Sequence, residues 1–320
     1  MILFFNIIDI FMYKQFDTIN NNVGSVGDIK FSEAINMVKG NSFRNKVSRF
    51  INSNYLADSI TLLETALISY KKEKNISKIC DTYDFMIEIY MSMYDEFNAI
   101  EKNKEALNFS MKEHNHFDRA CNYFNKIIDY YQKKGDFNNA GKYATKYADF
   151  AVLSLENYKL ADDMYDIALT NYEYESNQTI TISSLIINYA TFCAEKLQNY
   201  KKAKDLFYKS IKYIEENQSA YKYKYGTYIQ LMILCHLQYS TIDEAQKLMD
   251  EMLDTYPEVR DKIEVTFISN ILETLYANNM ENFTNIIYEY DQISKLNSIS
   301  VTLLLNIRRK FEQSNENSIL

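Results

Sequence analysis

Apolar residues in this chain recur at helical spacing, and the recurrence is itself periodic. A small residue opens each apolar set: Ala99, Ala120, Ala140, Ala161, Ala203 and Ala245, at intervals of 21, 20, 21, 42 and 42 residues. Each long interval skips one expected alanine. After Ala120 come Tyr123, Phe124, Ile127 and Tyr131, one face of a helix with about 3.6 residues per turn. Ala161 is followed in the same way by Met164, Tyr165, Ala168 and Tyr172. Ala203 leads Leu206, Phe207, Ile211 and Ile214, and Ala245 leads Leu248, Met249, Met252 and Tyr256. A small side chain at the first position lets an antiparallel neighbour approach closely. About 21 residues hold one helix and one turn, and about 42 hold a hairpin. The pattern therefore predicts an all-α solenoid of about 14 helices, each hairpin burying its apolar face against its neighbours.

Short polar segments punctuate the helices. Lys133-Lys134-Gly135-Asp136 places cations in a last turn and Gly just beyond. Leu197-Gln198-Asn199 and Ser240-Thr241-Ile242-Asp243 do the same work, with Asp243 expected to cap the next helix. Pro257 suits a first helical turn, and beyond it the 21-residue phase is lost. The expected organisation is an apolar extension and polar linker over 1–30, a hairpin array over 31–256, a closing helical bundle over 257–311, and a tail over 312–320. The opening run MILFFNIIDIFMY is too short to span a bilayer, and with Asp9 and no basic start it is a poor signal peptide. It reads either as an interfacial or helix-covering segment, or as a stretch upstream of a start at Met12.

Composition narrows the function classes. One proline and six glycines in 320 residues argue against folds rich in tight turns. A net charge of −8 is the wrong sign for general nucleic-acid binding. Cys80, Cys121, Cys193 and Cys235 lie far apart among apolar residues, which reads as buried free thiols in a reducing compartment. His114, His116 and His236 have no partners at metal-ligand spacing. There is no Gly-rich phosphate loop, no His-Glu-x-x-His and no nucleophile elbow. No enzyme, no catalytic residue, no metal, no cofactor and no small-molecule substrate are expected; a helical array of this kind binds other proteins.

The C-terminal region carries a more specific signal. Leu272-Glu273 precedes a box made of Tyr290, Asp291, Ile293, Ser294, Lys295 and Leu296. A further helix follows with Thr302, Leu303, Leu304, Leu305, Ile307, Arg308 and Arg309. These residues resemble the closing region of the alpha-type soluble NSF attachment protein (alpha-SNAP) family. Gly135 to Phe150, Asn199 to Ser210 and the Leu234 to Gln238 step are similar to that family's central repeats, and the resemblance covers roughly 31–320. It implies a TPR-like right-handed superhelical array of antiparallel hairpins with a C-terminal bundle. It also implies a cytoplasmic, peripherally membrane-associated adaptor in vesicle-mediated transport. Such an adaptor binds the SNARE four-helix complex and recruits and stimulates the hexameric AAA+ ATPase N-ethylmaleimide-sensitive factor.

Three surfaces follow from the resemblance. Lys142, on a family basic position, with Lys146, Lys201 and Lys202 as compensating charges, is expected to meet the acidic SNARE bundle. Asp136, Thr181 and Leu185 replace basic residues of animal members. The segment Asn41 to Ser53 is expected to touch membrane, with Phe43, Phe50 and Ile51 inserting and Arg44, Lys46 and Arg49 facing anionic headgroups. Glu273, Glu312, Glu316, Ile319 and Leu320 are expected at the ATPase, although Tyr276 and Ala277 replace two acids there. Two rival readings follow: a SNARE-binding competitor that does not stimulate the ATPase, and a general scaffold for unrelated peptides.

Overall fold

A computed structural model describes residues 24–44, 54–174, 179–217 and 220–317. Among them stand fourteen α-helices and no strand. In chain order they are α1 (Val26–Arg44), α2 (Asn54–Glu73), α3 (Ile76–Ser92), α4 (Glu96–Ser110), α5 (Phe117–Lys134), α6 (Phe137–Leu153) and α7 (Tyr158–Tyr174). Then come α8 (Thr179–Glu195), α9 (Tyr200–Glu216), α10 (Tyr225–His236), α11 (Ile242–Thr255), α12 (Ile263–Tyr276), α13 (Met280–Ile293) and α14 (Ser298–Asn317). The first helix begins at Val26, so the last residues of the stretch expected as linker are already helical. The chain forms two compact units, 1–127 and 128–320, with the division inside α5. The helices over 257–311, expected as a closing bundle, fall within the unit 128–320.

One turn design is reused along the chain. Lys74, Tyr94, Gly135, Glu156, Gln198 and Asn278 all have left-handed backbone, with φ between 50° and 74°. Each is followed by a helix cap: Asn75, Asp95, Asp136, Asn157, Asn199 and Asn279. Each cap's side-chain oxygen accepts the backbone N–H three residues on, at 3.0–3.1 Å. The cap N–H itself turns back to the preceding helix, as Asp95 does to the Tyr90 carbonyl at 2.9 Å and Asp136 to the Tyr131 carbonyl at 2.9 Å. The left-handed residue closes the old helix while the cap opens the new one, so two sets of orphan backbone groups are satisfied within two residues. Only Gly135 occupies its slot without Cβ strain.

Five of the six periodic alanines sit four residues after a cap. Ala99, Ala140, Ala161, Ala203 and Ala245 each donate the backbone N–H to the cap carbonyl, at 3.0–3.1 Å. All six of the spaced alanines are at most 2% exposed. Of the sixteen apolar residues predicted to follow Ala120, Ala161, Ala203 and Ala245, only Tyr131 and Leu248 escape burial, and both are half-buried. The skipped slot 21 residues after Ala161 is filled by Ile182, which is fully buried in α8.

In the unit spanning 1–127, α1 pairs with α2 and α3 with α4. The start of α1 is tied to its neighbours by Asp28, whose Oδ1 accepts from the Tyr70 hydroxyl at 2.9 Å and from Lys78 Nζ at 2.7 Å. Arg119 reaches Asp81 at 2.5 Å, and the buried Tyr123 donates to Asp84 at 2.7 Å, fixing α5 against α3. In the unit spanning 128–320, α6 pairs with α7 and α8 with α9. Gly141 lets the Tyr172 ring lie so close to α6 that a Cβ there would meet it at 2.9 Å. The closing helix α14 packs back on α8 and α10. Ser298 donates to Glu195 at 2.9 Å, and Gln238 Nε2 donates to the Leu303 carbonyl at 3.1 Å.

Candidate protein-docking surfaces

The expected basic surface lies on α6 and α9. Lys142 and Lys146 are exposed one turn apart on α6. Partial burial, and then the neighbouring Lys142 charge, lowers the Lys146 pKa from its ordinary value. Lys201 is exposed at the first turn of α9. Lys202 is not an open charge. Its ammonium donates to Asp162 at 2.9 Å and Asp166 at 3.0 Å on α7, and lies 4.7 Å from the centre of the Tyr189 ring. Burial works against that charge, yet the two carboxylate hydrogen bonds outweigh it and raise the Lys202 pKa. Tyr189 completes the cluster by donating to Asp162 at 2.7 Å.

Gly141 is level with Tyr172, near the end of α7, whereas Lys202 is level with Asp162 and Asp166, near its start. The Tyr165 hydroxyl donates to Asp149, so α6 runs antiparallel to α7; Lys146, about 6 Å beyond Lys142 at about 1.5 Å of rise per residue, lies nearer the level of Asp162 and Asp166. The three departures from the resemblance have structural placements of their own. Asp136 caps α6, Thr181 is exposed on α8, and Leu185 is 3% exposed in the core.

Of the expected membrane segment, Phe43 and Arg44 fall in the last turn of α1, and their side chains are outside the described residues. Lys46, Arg49, Phe50 and Ile51 also lie outside the described residues. No helix among the described residues is long and apolar enough to cross a membrane.

At the expected ATPase end, Glu273 is exposed on α12. Glu312 accepts from Arg308 Nε at 2.7 Å on α14. Glu316 lies in the last turn of α14 with its side chain outside the described residues, as are Ile319 and Leu320 altogether. Tyr276, where the resemblance expects an acid, donates its hydroxyl to Asp243 at 2.6 Å. That hydrogen bond, with the nearby Asp243 and Asp250 charges, raises the Tyr276 pKa. Asp243 is thus not the cap of α11. Thr241 is, and it forms a reciprocal capping box with Glu244. Asp243, Glu244, Asp250, Glu251 and Asp254 are all exposed on α11. An acidic helix therefore stands beside Glu273 and Tyr276. It lies outside the expected site residues, although five acids in the fourteen residues of Ile242–Thr255 mark it in the sequence.

The closing box is built as a turn. Tyr290 is buried, its ring stacked 4.0 Å from that of Phe267 and its hydroxyl 3.3 Å from Gln230 Oε1. Asp291 accepts the Leu296 backbone N–H at 2.9 Å and Lys295 Nζ at 2.7 Å, and Asn297 then caps α14. These bonds set the angle at which α14 returns to the core. His114 and His116 occupy a surface 3-10 turn, and among the described residues no cluster of His, Cys, Asp and Glu is suited to a metal ion.

Known proteins are similar to this chain in sequence. The family described as Soluble NSF attachment protein, SNAP, matches residues 36–312. The beta-soluble NSF attachment protein of Bos taurus is 22% identical over 275 residues, covering 83% of this chain and 88% of its own length. The probable vesicular-fusion protein sec17 homolog of Schizosaccharomyces pombe is 20% identical over 267 residues, covering 83% of this chain and 91% of its own. A soluble NSF attachment protein homolog of fowlpox virus is 29% identical over 102 residues. That match takes in 32% of this chain and spans only 36% of the viral protein. With matched residues running across most of its length and into the turn built by Tyr290 and Asp291, the chain belongs to the soluble NSF attachment protein family.

Proposed function

We propose that this protein is a non-enzymatic adaptor that binds assembled SNARE complexes and recruits the N-ethylmaleimide-sensitive factor to take them apart. The observation that carries the reading is the family match over 36–312, because it includes both the repeat helices and the closing turn. On this reading Lys142, Lys146 and Lys201 attract the acidic SNARE bundle. Lys202 holds α9 against α7 through Asp162 and Asp166 and contributes less charge than its position suggests. Glu273 and the exposed acids of α11 face the ATPase, and Glu312, Glu316, Ile319 and Leu320 extend that contact into the tail. Residues 41–53 contact lipid through Phe43, Phe50 and Ile51, with Arg44, Lys46 and Arg49 at the headgroups, so the protein works peripherally at a membrane.

Binding is testable with an immobilised SNARE four-helix complex. Lys142→Glu with Lys201→Glu is expected to weaken capture several-fold at low salt, at about 0.5–1 kcal/mol for each exposed charge contact. The difference narrows as salt rises. Equal capture of the double variant and the parent at low salt would remove these lysines from the interface. A second reading, a competitor that binds SNAREs without driving the ATPase, is favoured by Tyr276 and Ala277 standing where acids are expected. Capture of the SNARE complex without stimulated hydrolysis would select it.

A further inference from the structure

The two ends of the hairpins in the 1–127 unit differ in chemistry. Tyr70 near the end of α2 meets Asp28 at the start of α1, so these helices run antiparallel. Tight turns then reverse the chain between α2 and α3 and between α3 and α4. The α2–α3 and α4–α5 connections consequently share one end of the unit. The other end holds the end of α1, the start of α2 and the α3–α4 turn.

The first end is polar: Lys71, Lys72, Glu73 and Lys74 in one connection, and Lys112, Glu113, His114 and Asn115 in the other, are all exposed. The second end is apolar. At the α3–α4 turn Met91 is 52% exposed, Met93 38%, Tyr94 91% and Phe97 65%. Tyr55 and Leu56, half-buried at the start of α2, lie at the same end.

The turn geometry does not call for these residues. Tyr94 occupies the left-handed slot that Lys74, Gly135, Glu156, Gln198 and Asn278 fill elsewhere. Its 91% exposure means that its ring packs on almost nothing in the fold. An aromatic ring on a strained backbone and three further large apolar side chains make a projecting knob. A cluster of this kind marks a contact surface. Tyr, Phe and Met so exposed at a turn suit an interface that deforms around them, as the headgroup region of a bilayer does.

We propose that the α3–α4 turn is a second membrane-inserting element, in which Met91, Met93, Tyr94 and Phe97 enter the same lipid surface as residues 41–53. The inference rests on the membrane-contact reading above; Arg44 and Asn54, the described residues that flank that segment, stand at the same end of the unit as the α3–α4 turn. Asp95 and Glu96 at the tip repel an anionic surface. Insertion of this turn is therefore driven by apolar burial, while attraction to anionic headgroups comes from Lys46 and Arg49.

The chain contains no tryptophan, so one introduced tryptophan reports its own surroundings without background. Tyr94→Trp and Phe50→Trp are compared on phosphatidylcholine vesicles with and without phosphatidylserine, using brominated acyl chains as quenchers. Circular dichroism checks that each variant is folded. The proposal expects a blue shift and bromine quenching for both. Separately, Tyr94→Ser with Phe97→Ser should lower vesicle partitioning by about tenfold or more, on the apolar area the two side chains would bury. Shift and quenching in the Phe50→Trp protein with neither in the Tyr94→Trp protein would overturn this proposal and leave the membrane reading standing. No response from either variant would overturn both. A concentration-dependent blue shift of the Tyr94→Trp protein without vesicles would show that a second copy covers the turn, and would also overturn the proposal.

Discussion

Gln198 and Asn199 are adjacent, exposed and expected to respond to substitution with opposite signs. Gln198 has φ +52° between α8 and α9, and its neighbour Asn199 accepts the Lys202 N–H at 3.1 Å. A left-handed residue with a Cβ costs about 1–2 kcal/mol. Glycine relieves that strain and gives back about 0.5–1 kcal/mol through the greater freedom of its unfolded chain. Gln198→Gly should therefore stabilise by about 0.5–1 kcal/mol on balance. Asn199→Ala removes the cap and should destabilise by about 1 kcal/mol. Gly135→Ala is the mirror control. At φ +74° with open space around its Cβ position, its net penalty of about 0.5–1 kcal/mol is backbone strain less the freedom lost by the unfolded chain, with no steric clash. In a unit of this size 1 kcal/mol moves Tm by about 2–4 °C. Far-UV circular dichroism on heating, with urea titration for the free energies, reads all three. A loss of stability in Gln198→Gly, or no loss in Asn199→Ala, would refute the view that a left-handed residue followed by a cap is the joint of this array.

Other outcomes are open to direct measurement. Burial opposes the Asp28 charge, but the hydrogen bonds from Lys78 and Tyr70 prevail and hold its pKa below the ordinary 3.8. A depressed carboxylate contributes stability that is full above the unfolded value and fades as pH falls through the folded one. Asp28→Asn should lower urea midpoints near neutral pH and flatten their decline below about pH 4; an unchanged acid limb would contradict the pairing. Burial pushes the Cys80 thiol up to about 11 and those of Cys193 and Cys235 to about 12, while Cys121 is only partly buried. A thiol reagent should label one cysteine quickly in the folded protein and all four in urea. Asp291→Ala loses the hydrogen bond to the Leu296 N–H and should cost about 1 kcal/mol by urea unfolding, with looser protection of α14 amides in hydrogen exchange.

The alanine spacing was legible because one turn design repeats. Five of the six alanines come four residues after a cap, where a larger side chain would hold the neighbouring helix away. The apolar faces followed from the same register, as Phe124, Phe207 and Met249 show by their complete burial. Other features depended on contacts distant in the chain. The engagement of Lys202 joins residues 36 and 40 positions apart, and no local pattern announces it. The left-handed backbone at Lys74, Tyr94, Glu156 and Gln198 was hidden because these are ordinary residues in a position that favours glycine. The cap of α11 could have been read. Thr241 followed three residues later by Glu244 is a capping-box signature, and it outweighs an aspartate already inside the helix. The box that carries the family resemblance does structural work. Tyr290 and Asp291 hold the turn that brings α14 back onto α8 and α10.

The central claim is that this chain couples SNARE complexes to their disassembly ATPase. The most direct measurement is disassembly of liposome-anchored SNARE complex by the N-ethylmaleimide-sensitive factor and ATP, with and without this protein. The account predicts disassembly that depends on the protein and falls when Ile319 and Leu320 are removed, while SNARE capture stays intact. SNARE capture with no disassembly at any concentration of the full chain would contradict it.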